Sequence, residues 1–162
     1  MRLRAAFVLT LGMLGVFAAA CDPSPGSVAL VSSASSFTPG GNFSPNPIPL
    51  SLLGGVRCPG GFAFGTSIQL IITAGARNLT LDRVTLHLLD GSNLGGPSVT
   101  IPGIDAAGGF GPPFIRAGTT WNFALRPTFG CITGRPRLLR GNAFLFDPFG
   151  LAQTIVLEGA VQ

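Results

Sequence analysis

Ser67-Ile68-Gln69-Leu70-Ile71-Ile72-Thr73 decides the fold class of this 162-residue chain. Ile68, Leu70 and Ile72 take the even positions, while Ser67, Gln69 and Thr73 are polar. Alternation of period two places every second side chain on one face of an extended strand, the pattern of a strand buried on one side. It recurs downstream. In Arg83-Val84-Thr85-Leu86-His87-Leu88 the apolar positions are Val84, Leu86 and Leu88. In Thr120–Arg126, Trp121, Phe123 and Leu125 share a face. All three are therefore expected in the core, with a partner for the indole N–H. The runs 142–147 and 153–157 flank Pro148-Phe149-Gly150 and read as a hairpin, and 99–101 is a weaker strand. Nothing after residue 21 shows helical spacing of apolar residues.

Outward from these strands, the other informative stretch is the N-terminus. Met1-Arg2-Leu3-Arg4 precedes a continuous apolar run from Ala5 to Ala20, which ends in Ala18-Ala19-Ala20-Cys21. A basic start, an apolar run and small residues before a cut site make a secretory signal. The run falls short of the roughly 20 apolar residues of a comfortable membrane span. With Cys21 at its end, the segment resembles a bacterial lipoprotein signal with a lipobox. Ala18 stands where such signals usually carry Leu. The resemblance implies lipidation of Cys21 by acyl chains such as palmitate, and attachment to the membrane through them. The same alanines fit an A-x-A cut before Cys21, which would leave the chain secreted instead. Asp22 implies inner-membrane retention where the sorting rule of enteric bacteria holds.

Residues 21–56 form the expected tether, opening Asp-Pro-Ser-Pro-Gly and carrying Ser-Pro-Asn-Pro-Ile-Pro at 44–49. Proline at that density gives a semi-rigid spacer. Two apolar patches interrupt it, Val28–Val31 and Ile48–Leu53, and either could dock as an edge strand. The domain itself is expected over 57–162. With 24 glycines, 14 prolines and 46% apolar residues, the chain is turn-rich but too apolar to be disordered.

Strands expected at 66–74, 79–89, 97–102, 119–128, 141–147 and 152–159, with a first at or before Cys58, make about seven. That is the profile of an antiparallel sandwich, an all-β fold, and it resembles the immunoglobulin-like and fibronectin type III-like arrangement. A jelly-roll sandwich is the other arrangement. In the immunoglobulin-like topology the second and fifth strands are antiparallel neighbours. The resemblance then implies a Cys58–Cys131 disulfide, because Cys58 precedes the second strand and Cys131 follows the fifth. Lipidation of Cys21 would leave these two cysteines as the pair. The antibody bridge through the core cannot form from these positions.

Composition removes most chemistry. The chain has no Lys and no Tyr, one His (His87) and one Glu (Glu158), and the pattern excludes a G-x-S-x-G serine hydrolase. His87 lacks partners for a zinc or copper site and reads as a surface residue on the polar side of its strand. The carboxylates are too few for a glycosidase pair. Asp82 and Asp147 read as surface pairs or Asx-type turns. No catalytic residue, metal or cofactor is expected. Arg135, Arg137 and Arg140 read as a solvated inter-strand loop, with a phosphate- or lipid-headgroup-binding patch as the alternative, and nucleic-acid binding is not expected. The sequons at Asn42 and Asn78 read as accidental matches. Ile71 and Leu89, out of phase with the alternation, suggest an exposed apolar patch. The candidate binding loop is Gly108–Phe114, with Phe110 and Phe114 either presented to a partner or plugging the sandwich end. The expectation is a non-enzymatic binding or structural module of the bacterial cell envelope, facing periplasm or exterior, with an envelope protein or glycan as partner. The alternative is a carbohydrate- or small-ligand-binding domain of an envelope complex.

Overall fold

The computed structural model describes residues 38–91, 96–109 and 113–162. The signal segment 1–20, Cys21, the patch Val28–Val31 and Phe110 lie outside the described residues. In chain order the elements are β1 (Gly40–Ser44), β2 (Ser51–Leu52), β3 (Phe62–Gly65), β4 (Ile68–Thr73), β5 (Leu79–Asp90), β6 (Ser98–Pro102), the single-turn helix α1 (Gly103–Ala106), β7 (Phe114–Ile115), β8 (Thr120–Leu125), β9 (Thr128–Ile132), β10 (Pro136–Phe146) and β11 (Ala152–Ala160).

The strands form an antiparallel sandwich. One sheet has the order β1-β4-β8. The other has the order β11-β10-β5-β6, with β7 beside the start of β5. A small third sheet, β2-β3-β9, continues from the first. In the immunoglobulin-like scheme these are the A-B-E and G-F-C layers, and β6 takes the C′ place beside β5. The expected neighbours at 66–74 and 119–128 are paired, with Ile68 opposite Leu125 and Thr73 opposite Thr120.

The described residues hold eleven strands, not about seven. Three short strands, β1 to β3, precede β4 where one was expected, β7 is added, and a proline accounts for the fourth. Pro127 has no N–H to give a ladder, so the expected strand 119–128 breaks there into β8 and β9. Thr66 N–H donates to Pro127 C=O at 3.1 Å across the break. Beyond it, β9 pairs with β3 rather than β4.

Alternation fills the core as expected on β4 (Ile68, Leu70, Ile72), β5 (Val84, Leu86, Leu88) and β11 (Ile155, Leu157). The apolar patch Ile48–Leu53 docks, as the sequence allowed, through the Ile48–Val161 bridge and β2, but the tether expectation needs correction before it. β1 pairs with β4 in full register, Gly40 opposite Thr73 through Ser44 opposite Gln69. Ile48 is completely buried, and its N–H donates to Ala160 C=O at 2.7 Å. The sandwich therefore takes in residues that proline content assigned to the spacer. Two glycines make this docking possible. A Cβ at Gly141 would stand 2.6 Å from Phe43 Cζ, and one at Gly159 would stand 2.6 Å from Ile48 Cδ1. Phe43 and Ile48 fill the volume that those missing side chains leave free.

Candidate functional site

β10 runs the length of the sandwich, eleven residues or about 35 Å. Its two ends carry different surfaces. At one end is the β10–β11 turn, and at the other an apolar cleft.

The turn is held by Asp147. Its side chain has no solvent-exposed surface, and its Oδ1 accepts from the N–H groups of Phe149 and Leu151, each at 2.9 Å. Oδ2 pairs with Arg77 Nη1 at 2.8 Å. This is the Asx-type turn expected at Asp147, with a buried carboxylate paired to a half-exposed guanidinium. Desolvation is the largest single influence on the carboxyl and raises its pKa. The Leu151 amide, the Arg77 guanidinium and the Phe149 amide together outweigh it, and the net shift is downward. A depressed folded-state pKa adds stability above the unfolded value, about 3.9, and loses it as pH falls through the folded value. The melting temperature of the wild type is therefore expected to exceed that of Asp147→Asn at pH 7, and the gap to close below about pH 4. A gap independent of pH would show that the charge of Asp147 does not hold the turn.

This pinned turn displays its apolar residues. Phe149 is 84% exposed, and Leu151 is also exposed. Behind them on the outer sheet face, Thr80 lies opposite both Phe146 and Phe114, and both phenylalanines are exposed. Arg116 follows β7 at the same end, where Ala117 N–H donates to Asn78 Oδ1 at 2.9 Å. The described chain also enters here. Pro39 lines a small hollow with Arg77, Leu79 and Gln153.

The opposite end holds an open cleft of about 420 Å³. Its apolar walls are Leu50, Leu52, Phe62, Phe64 and Pro136, and Arg135 supplies a cation. Leu52 and Phe62 are more than 60% exposed. The cleft sits on the small sheet, where Leu52 lies opposite Phe64 and Phe62 opposite Ile132. The Cys58–Cys131 disulfide, with Cα atoms 5.4 Å apart, ties the approach to β3 to β9 beneath it. A mostly apolar concavity with a few polar groups is the usual form of a ligand or peptide site.

Other expected residues fall as follows. Phe114 is exposed on β7 at the outer sheet face, so it does not plug the sandwich end. Trp121 is 44% exposed, not in the core. It stacks on buried Phe123 at 5.8 Å, but among the described residues β8 is the last strand of its sheet, and residues 105–108 around α1 line the hollow beside the ring. Leu89 is buried and Ile71 half-buried, so they do not form an exposed patch. The shifted register at Leu138–Leu89 puts Leu89 beside Leu138. Arg137 and Arg140 lie on β10, not in a loop. Arg140 pairs with Glu158 across the strands at 2.8 Å. His87 sits mid-sheet between Arg140 and Ser98. Among the described residues, no cluster of His, Cys, Asp or Glu could hold a metal, and no helix is long and apolar enough to cross a membrane.

The cleft was not foreseen from sequence. Its signal was Gly60-Gly61-Phe62-Ala63-Phe64-Gly65, where two phenylalanines at i and i+2 share one side of a short strand and Ala63 is buried on the other.

No protein-family model matches the chain, and no curated protein matches it. Among solved structures, a Northeast Structural Genomics Consortium target, SoR45, is similar at 12% identity and TM-score 0.46, over 67% of this chain and 77% of that one. A Bordetella pertussis target described as ApaA is similar at 12% identity and TM-score 0.43, over 75% of this chain and 95% of that one. A penta-heme cytochrome c552 from Thermochromatium tepidum shares 11% identity at TM-score 0.32, over 70% of this chain and 38% of that one. None of these likenesses bears on function.

Proposed function

We propose that the chain is a lipid-anchored module of the bacterial cell envelope that binds a partner rather than catalysing a reaction. Cys21 carries the lipid, and the sandwich presents its cleft to the partner on the periplasmic or exterior side. The supporting observation is the cleft itself, in which Leu52 and Phe62 stand open to solvent on a disulfide-tied sheet. Exposed aromatic and aliphatic walls with a cation at the rim suit an apolar peptide segment of an envelope protein. The same phenylalanine faces suit stacking on a sugar ring, which keeps a glycan as the second reading.

Cross-linking in intact cells tests both, with a photo-reactive residue at Phe62. Capture of a defined protein supports the peptide reading, and capture of a glycan the second. Phe62→Ala is expected to weaken binding about tenfold, the effect of an interface anchor. Capture unchanged by Phe62→Ala and Leu52→Ala would overturn the cleft as the binding site. The anchor is tested separately by the mass of the Cys21 peptide from native membranes. An unmodified Cys21 would overturn it.

A further inference from the structure

The described chain begins at the same end of the sandwich as the β10–β11 turn. Gly40 lies opposite Thr73, and Pro39 lies against Arg77 and Gln153, whose neighbours carry the turn. If Cys21 is the anchor, as proposed above, its link to Thr38 reaches at most about 60 Å when fully extended. The link therefore joins the sandwich at the turn end, and the cleft lies at the other end.

The turn end has the composition of a membrane-interface surface. Phe149 and Leu151 project from a turn that Asp147 and its hydrogen bonds hold rigid. Phe114 and Phe146 extend the apolar surface behind them. Arg77 is half exposed while pairing with Asp147, and Arg116 has no ion-pair partner among the described residues. Exposed aromatics on a fixed turn lose little conformational freedom on insertion, and nearby arginines are drawn to anionic headgroups.

We propose that this end docks on the surface of the phospholipid bilayer that holds the anchor. Phe149 and Leu151 insert at the headgroup boundary and Arg116 contacts anionic headgroups. The lipid supplies attachment, and the docked tip supplies orientation, holding the cleft about 35 Å above the membrane, the length of β10.

The test uses the signal-free chain, residues 21–162 with Cys21→Ser, which carries neither the apolar run 5–20 nor an acyl chain, so vesicle binding is scored apart from both. Co-sedimentation is measured with protein-free vesicles of phosphatidylcholine and phosphatidylglycerol. Binding is expected, and Phe149→Ser with Leu151→Ser should weaken it at least about tenfold. Arg116→Ala should weaken it about fivefold on these vesicles and leave binding to pure phosphatidylcholine unchanged. All these side chains are exposed, so the variants should keep the wild-type melting temperature, which is checked first. Failure of the Cys21→Ser protein to bind, or equal binding by the double variant, would overturn the proposal. So would binding to native envelope membranes but not to vesicles, because that outcome assigns the tip to a protein. Vesicle binding together with an unmodified native Cys21 would overturn the anchor and leave the tip's affinity for lipid standing.

Discussion

Replacing Cys58 and Cys131 by serine is expected to lower the melting temperature by about 10–15 °C. The bridge closes a separation of 73 residues, for which the chain-entropy model gives about 4 kcal/mol. Typical domain stability is about 5–15 kcal/mol, so the loss is a large share. Its location adds a local effect. The bridge joins the approach to β3 to β9, and those strands pair in the small sheet, outside the ladders of the two main sheets. The serine variant should therefore loosen the cleft walls Phe62 and Phe64 before the sandwich as a whole. Hydrogen exchange across β3 and β9, compared with β5 and β10, reads this directly. A melting temperature unchanged by reduction and alkylation would show that the bridge contributes nothing to stability.

The second large effect is expected at Phe43 and Ile48. Both are buried, Ile48 completely, and each occupies a space opened by a glycine, Gly141 on the opposite sheet for Phe43 and Gly159 on the adjoining strand β11 for Ile48. Phe43→Ala should cost about 3–5 kcal/mol and Ile48→Ala about 2–5 kcal/mol, the range for truncating large core residues. A chain starting at residue 57 loses β1, the Ile48 strand addition and both plugs, and is not expected to fold. Urea titration of the two point variants, and circular dichroism of the truncated chain, decide this. A truncated chain with the full-length transition midpoint would return residues 40–56 to the tether.

The same two residues show where sequence reading stops. Phe43 lies in Asn-Phe-Ser and Ile48 in Pro-Ile-Pro, surrounded by proline and glycine. No local period marks them, because their burial comes from Gly141 and Gly159, about one hundred residues away in sequence. Trp121 fails in the opposite direction. It keeps perfect phase with Phe123 and Leu125, yet phase reports only which face a side chain takes. Whether that face is covered depends on the neighbouring strand, and β8 has none on its open side among the described residues.

Legible in the sequence were the all-β class, the strands β4, β5, β6, β8 and β11, the part of β10 from Gly141 onward, and the 147–151 turn. Each is a local property, carried by period-two alternation or by a Pro-Phe-Gly punctuation that acts within a few residues. The pairing of Cys58 with Cys131 followed once an immunoglobulin-like order of strands was assumed, and the observed order places them in contact. Three features emerge from packing alone: Asp147 is buried beneath an exposed Phe149, β6 joins the β5 sheet, and Leu50, Leu52, Phe62, Phe64 and Arg135 converge on one cleft. Asp147 meets Arg77 and Phe62 faces Ile132 each across 70 residues, and even β6 meets β5 only across an intervening loop. Burial at such contacts is set by which surfaces the chain brings together, and no single stretch of sequence carries that information.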